Sequence, residues 1–112
     1  MHNLARLVLL IAGFAVPLAM AAGEKIVITS PVDGAKLATG AENTMDYNVT
    51  LGKAGGHIHL YIDGEEIALL RQSKGSYTFD SLLQGKHEIC LKIVNKNHTP
   101  IGVERCVNVT VQ

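Results

Sequence analysis

An all-β domain behind a processed leader is what this 112-residue sequence predicts. Three observations carry the prediction. Segments rich in β-branched and aromatic residues recur roughly every 8–14 residues, with Gly, Asn, Asp and Pro clusters between them. Within those segments apolar and polar residues alternate at period two, the spacing that puts one strand face on a core and the other in solvent. No apolar stripe at i, i+3, i+4, i+7 runs beyond two turns, so nothing reads as a long amphipathic helix.

The leader comes first. Met1 to Arg6 carries one positive charge and no acid, Leu7 to Val16 is an unbroken apolar run, and Ala19-Met20-Ala21 supplies small residues at −3 and −1. That order describes a secretory signal peptide cleaved after Ala21, leaving residues 22–112 as the domain. A membrane span needs roughly 20 uninterrupted apolar residues, and Pro17 with the small-residue motif interrupts the run. No cysteine directly follows the leader, so a lipoprotein thioether anchor has no attachment atom. The expectation is a periplasmic or secreted protein without a stable membrane anchor after cleavage.

The strands follow in order. Lys25 to Thr29 is the first, stopped by Ser30-Pro-Val-Asp-Gly34, whose Pro and Asp-Gly pair are turn formers. Met45, Tyr47, Val49 and Leu51 alternate with polar residues in the second. His57 to Ile62 is the third, with Ile58, Leu60 and Ile62 on one face and His57, His59 and Tyr61 on the other. Asp63-Gly64 is a hairpin turn of the kind that tolerates positive φ, and Glu66 to Leu70 return as the fourth. Gly75 to Phe79 is the fifth, burying Tyr77 and Phe79. Lys86 to Val94 is the sixth, with His87, Ile89, Leu91 and Ile93 on one face. A polar loop, Asn95 to Gly102, leads to the last strand, Val103 to Val111, which turns Val107, Val109 and Val111 inward. Seven strands in a chain of this length match an immunoglobulin-like β-sandwich, with a small open barrel as the alternative.

Two cysteines in an exported domain of this size predict a disulfide, Cys90–Cys106. If the last two strands form a hairpin with these residues opposite each other, Ile89 meets Val107 and Ile93 meets Val103, and the inward faces coincide. Both sulfurs then lie on the outer face, as a staple between neighbouring strands.

Ser30-Pro-Val-Asp-Gly34, His57-Ile-His-Leu-Tyr-Ile-Asp-Gly64, Leu83-Gln-Gly-Lys-His-Glu-Ile89 and His98-Thr-Pro-Ile-Gly102 together resemble the bacterial exported immunoglobulin-like domains. Several of those families share a His-x-His strand and a Leu-x-x-Gly-x-His corner. The resemblance spans residues 24–112 and implies the sandwich fold and a periplasmic or cell-surface setting. It implies no reaction.

Charge and motifs narrow the function. Ten basic and ten acidic residues give a formal charge of zero, without the field that draws a chain to nucleic acid. No serine stands in a Gly-x-Ser-x-Gly elbow, both cysteines are spoken for, and Gly55-Gly56 opens no helix that would cradle a phosphate. The sequence therefore predicts no enzyme, but a binding or structural module that meets a periplasmic or cell-surface protein. The competing prediction is a divalent-metal site. His57 and His59, two apart on one strand, project from one face about 6.5–7 Å from each other, and the loop bearing His98 lies at the same end of such a sandwich. Three imidazoles suit Cu(II) or Zn(II) equally. The plainer reading puts His57 and His59 on a solvated face. Glu65 and Glu66, adjacent on a strand, read as solvated acids. His87, on the core-facing parity at the start of the sixth strand, reads as a structural hydrogen-bonding residue.

Overall fold

The computed structural model describes residues 23–112, so the leader expectation for residues 1–21 lies outside the described residues. Eight strands form two stacked sheets: β1 (Lys25–Ser30), β2 (Ala35–Leu37), β3 (Asn43–Thr50), β4 (His57–Ile62), β5 (Glu65–Leu70), β6 (Lys74–Phe79), β7 (Gly85–Val94) and β8 (Pro100–Val111). One sheet has the order β1-β3-β6 and the other β2-β8-β7-β4-β5. The chain is an all-β, immunoglobulin-like sandwich.

Alternation decides which residues are buried. Ile26, Met45, Tyr47, Val49 and Phe79 of the smaller sheet pack against Ile58, Leu60, Ile62, Ile89, Leu91, Ile93, Val107 and Val109 of the larger. Each such side chain contributes roughly 1.5–3 kcal/mol when fully withdrawn from water. Asp63 and Gly64 both take positive φ, 54° and 84°, as a two-residue turn between twisted strands requires.

Four details differ from the sequence reading. An eighth strand, β2, pairs in parallel with the end of β8, Ala35 with Val109 and Leu37 with Val111. Three residues are too few for alternation to reveal, and the preceding turn formers mask them. β8 begins at Pro100, inside the expected loop. The β7–β8 ladder pairs Ile89 with Val107 and Cys90 with Cys106, but it shifts after Lys92↔Glu104 to Val94↔Pro100, so Ile93 does not meet Val103. Leu51 follows β3 and is exposed, and Tyr77 is only half-buried.

Candidate imidazole site on the outer sheet face

His57, His59 and Tyr61 lie on the side of the five-stranded sheet that faces away from the core. Their cross-strand partners on β7 are Val94, Lys92 and Cys90. This outer face is not simply solvated. His59 retains 2% of its exposure, Cys90 5% and Val94 none, although the main core includes none of the three. The Cys90–Cys106 disulfide, with an S–S distance of 2.00 Å, ties β7 to β8 on this face.

The loop 95–99 brings His98 to the same place. The Asn95 carboxamide oxygen accepts hydrogen bonds from the N–H groups of Asn97 (2.8 Å) and Thr99 (3.0 Å), while the Asn95 and Thr99 backbones also pair (2.8 Å). So held, the chain takes φ 63° at His98, a left-handed conformation uncommon for a residue that carries a side chain. The β3–β4 loop closes against it. Gly56 donates its N–H to Val94 O at 2.7 Å, and a Cβ at Gly56 would come within 3.0 Å of Lys96 N and 3.1 Å of the Asn95 carbonyl carbon. Glycine keeps that approach free of crowding, and His57 follows it in the chain beside His98.

The three imidazoles therefore meet, but not symmetrically. His59 Nε2 lies 3.1 Å from His98 Nδ1. His57 stacks on His98, ring centroids 4.8 Å apart and planes 26° from parallel, so it offers a ring face to its neighbour. Among the described residues, the group of three His, Cys, Asp or Glu side chains whose ligand atoms all lie within 4.8 Å of one another is Glu88, Cys90 and Cys106, and both of its sulfurs are in the disulfide. His59 and His98 are the close pair of the cluster, with His57 as its stacked flank.

The other ring nitrogen of His59 is the unusual atom. Nδ1 is fully buried and has no hydrogen-bond partner. Glu66 Oε2 stands 3.4 Å away, on a half-exposed side chain. Sequence reasoning missed Glu66, because strand alternation by itself gave no reason to set it near His59. The ammonium of Lys92, cross-strand from His59, is held 4.4 Å over the Tyr61 ring and 3.8 Å from Glu104 Oε1. Those two partners engage the cation that stands cross-strand from His59.

His87 sits elsewhere, at the corner where β4 turns into β5. Its Nδ1 lies 2.6 Å from Asp63 Oδ2 and its Nε2 2.6 Å from Leu83 O. Both partners are acceptors, so the ring is best satisfied with a proton on each nitrogen. The hydrogen bond to Asp63, then that to Leu83 O, raises the His87 pKa, against a smaller opposing effect of burial. For Asp63 burial pushes upward, but the Glu88 N–H, the His87 hydrogen bond and the His87 charge together leave its pKa lowered.

No family model matches the chain, and no curated protein matches it in sequence. Solved structures do match its fold. The fibronectin(III)-like modules of Clostridium thermocellum CbhA superpose with a TM-score of 0.66 at 16% identity, over 79% of this chain and 97% of that one. The CARDB domain of a Pyrococcus furiosus protein, solved in complex with di-metal ions, gives 0.56 at 14% identity, over 83% and 97%. A Jonesia denitrificans lytic polysaccharide monooxygenase gives 0.51 at 16% identity, over 73% of this chain and 60% of that one. These likenesses establish the sandwich architecture.

Proposed function

We propose that this chain is an exported, non-catalytic binding module of the periplasm or cell exterior, and that it holds one divalent transition-metal ion, Cu(II) or Zn(II), at His59 and His98 with His57 alongside. One observation carries the reading. A buried imidazole on the outer sheet face directs Nε2 at a second imidazole nitrogen 3.1 Å away. Nitrogens each about 2.0–2.1 Å from a zinc or copper ion stand roughly 2.9–3.4 Å from one another in square-planar or tetrahedral geometry. The same separation without an ion is a hydrogen bond between the rings, so the pair is prepared for either state.

Burial supports the reading too. A histidine on a solvated face gains nothing from being covered, and covering it without satisfying Nδ1 costs roughly 1–3 kcal/mol. A domain that accepts this cost retains the ring for something other than stability. The Pyrococcus furiosus neighbour, described as a complex with di-metal ions, gives a precedent for ions on a sandwich of this kind. The leader-like residues 1–21 support export.

Residues 22–112 contain every strand of both sheets, so they are the material for the test. Calorimetric titration with Zn(II) and with Cu(II) is expected to give one ion per chain, lost in His59→Ala and in His98→Ala and weakened in His57→Ala. Unchanged stoichiometry in the His57→Ala/His59→Ala double variant, or no binding by the unaltered chain, overturns the proposal and leaves a module that acts without an ion.

A further inference from the structure

An irregularity in the β4–β5 ladder bears directly on the orphaned nitrogen of His59. Pairing runs Ile58↔Leu70, His59↔Leu69, Leu60↔Ala68, then jumps to Tyr61↔Glu66 and Ile62↔Glu65. Ile67 is passed over, and it is exposed at 44%. In an unbroken ladder Ile67 would stand opposite Tyr61 and Glu66 opposite Ile62, because a shift of one residue exchanges the two faces of a strand. The extra residue thus moves Glu66 onto the face that carries His59. β-Bulges re-aim side chains in this way and are enriched beside functional sites.

The chemistry of a neutral imidazole then assigns Glu66 a task. Such a ring carries one N–H and one lone pair. If His59 Nε2 gives its lone pair to an ion shared with His98, the proton resides on Nδ1. That atom is buried, so its N–H needs an acceptor, and Glu66 Oε2 at 3.4 Å is the acceptor within reach. Among the close acid–base contacts of the described residues, Lys92 has Glu104 and His87 has Asp63, while the neighbour of Glu66 is His59.

We infer that Glu66 is the positioning residue of the metal site: its carboxylate takes the Nδ1–H of His59 and so holds the tautomer in which Nε2 coordinates. Partners of this kind, one step behind the ligands, fix ring orientation and raise ligand basicity, and losing one typically costs about ten- to a hundredfold in metal affinity. The inference rests on the ion-binding reading above. The competing arrangement, an ion held directly between Nδ1 and Glu66, gives a different zinc-bound nitrogen.

Long-range proton–nitrogen correlation spectra of the labelled 22–112 chain with Zn(II) read that nitrogen, and chelator competition reads the affinity. The unaltered chain is expected to show His59 zinc-bound at Nε2 and protonated at Nδ1. Glu66→Ala should weaken Zn(II) about ten- to a hundredfold, and Glu66→Gln, which keeps an acceptor, should recover part of that. Both variants should keep the amide spectrum of the folded domain, since the side chain is half-exposed. Zinc on His59 Nδ1, or full affinity in Glu66→Ala, overturns the inference while leaving the ion-binding reading intact. An unaltered chain that binds no zinc ends both.

Discussion

His59 and His87 are each an imidazole beside a carboxylate, and they differ in what their nitrogens find. At the β4–β5 corner both ring nitrogens of His87 meet acceptors at 2.6 Å, so the ring is fully used in joining the turn at Asp63 to the approach of β7. On the outer face, His59 is more deeply buried yet has one nitrogen without a partner and the other facing a third histidine. A satisfied imidazole is a fastener. A buried, half-satisfied one keeps bonding capacity in reserve, here on Nδ1, the nitrogen that Glu66 Oε2 stands 3.4 Å from.

The comparison can be tested at its common support first. Cys90–Cys106 lies in the ladder between the His87 end and the 95–99 loop. Replacing both cysteines by alanine should cost about 3 kcal/mol, the chain-entropy value for a loop of this length, read as a lowered urea midpoint under oxidising conditions. Both regions should loosen together. A loss confined to one would show that they do not share the β7–β8 hairpin as a foundation.

The sharpest contrast is between stability and zinc binding. His59→Leu removes a buried nitrogen without a partner and, with it, the hydrogen bond to His98; the two effects oppose each other, so the ion-free domain should hold its stability to within about 1 kcal/mol while zinc binding is abolished. His87→Leu removes two made hydrogen bonds and should destabilise it by about 1 kcal/mol with zinc affinity unchanged. Denaturant melts and zinc titrations of the two variants side by side settle the matter, and equal losses of stability with equal zinc affinities would erase the distinction. Asn95→Ala should act on the His59 side alone. By releasing the loop that constrains His98 it should weaken zinc by about fivefold, or about 1 kcal/mol, without altering a ligand.

The smallest effect belongs to pH and to the His87 side. With its folded pKa raised, His87 contributes stability that is complete below the unfolded value, about 6.5, and is lost as pH climbs through the folded value. Asp63, with its folded pKa lowered, contributes above its unfolded value and loses that contribution as pH falls through the folded one. The pair is therefore strongest between about pH 4 and 6.5. Since Asp63 is half-exposed and screened, the amplitude should be about 0.2–1 kcal/mol, measured as the difference between unaltered chain and Asp63→Asn in urea melts across pH. A flat difference would mean that the corner holds without its charge.

Much of the sandwich is legible residue by residue. Alternation in His57 to Ile62 and in Lys86 to Val94 sorts each side chain to its face, Asp63-Gly64 marks the hairpin, and the Cys90–Cys106 pairing fixes the register of the last two strands nearby. Less of the site is legible. His57 and His59 share a strand face by spacing alone, yet the close nitrogen pair is His59 with His98, because Gly56 and Asn95 fold two loops together in a way that no local period encodes.

Sequence alone determined what depends on nearest neighbours along the chain: strand class, turn positions, the inward residues and the two sulfurs. Tertiary structure decided what depends on one inserted residue or on the meeting of distant loops. The bulge at Ile67 is the plainest instance. Side-chain direction has period two, so a single extra residue reverses every face beyond it, and a pattern read along one strand carries no record of where its neighbour slips. That slip is what places the Glu66 carboxylate against His59.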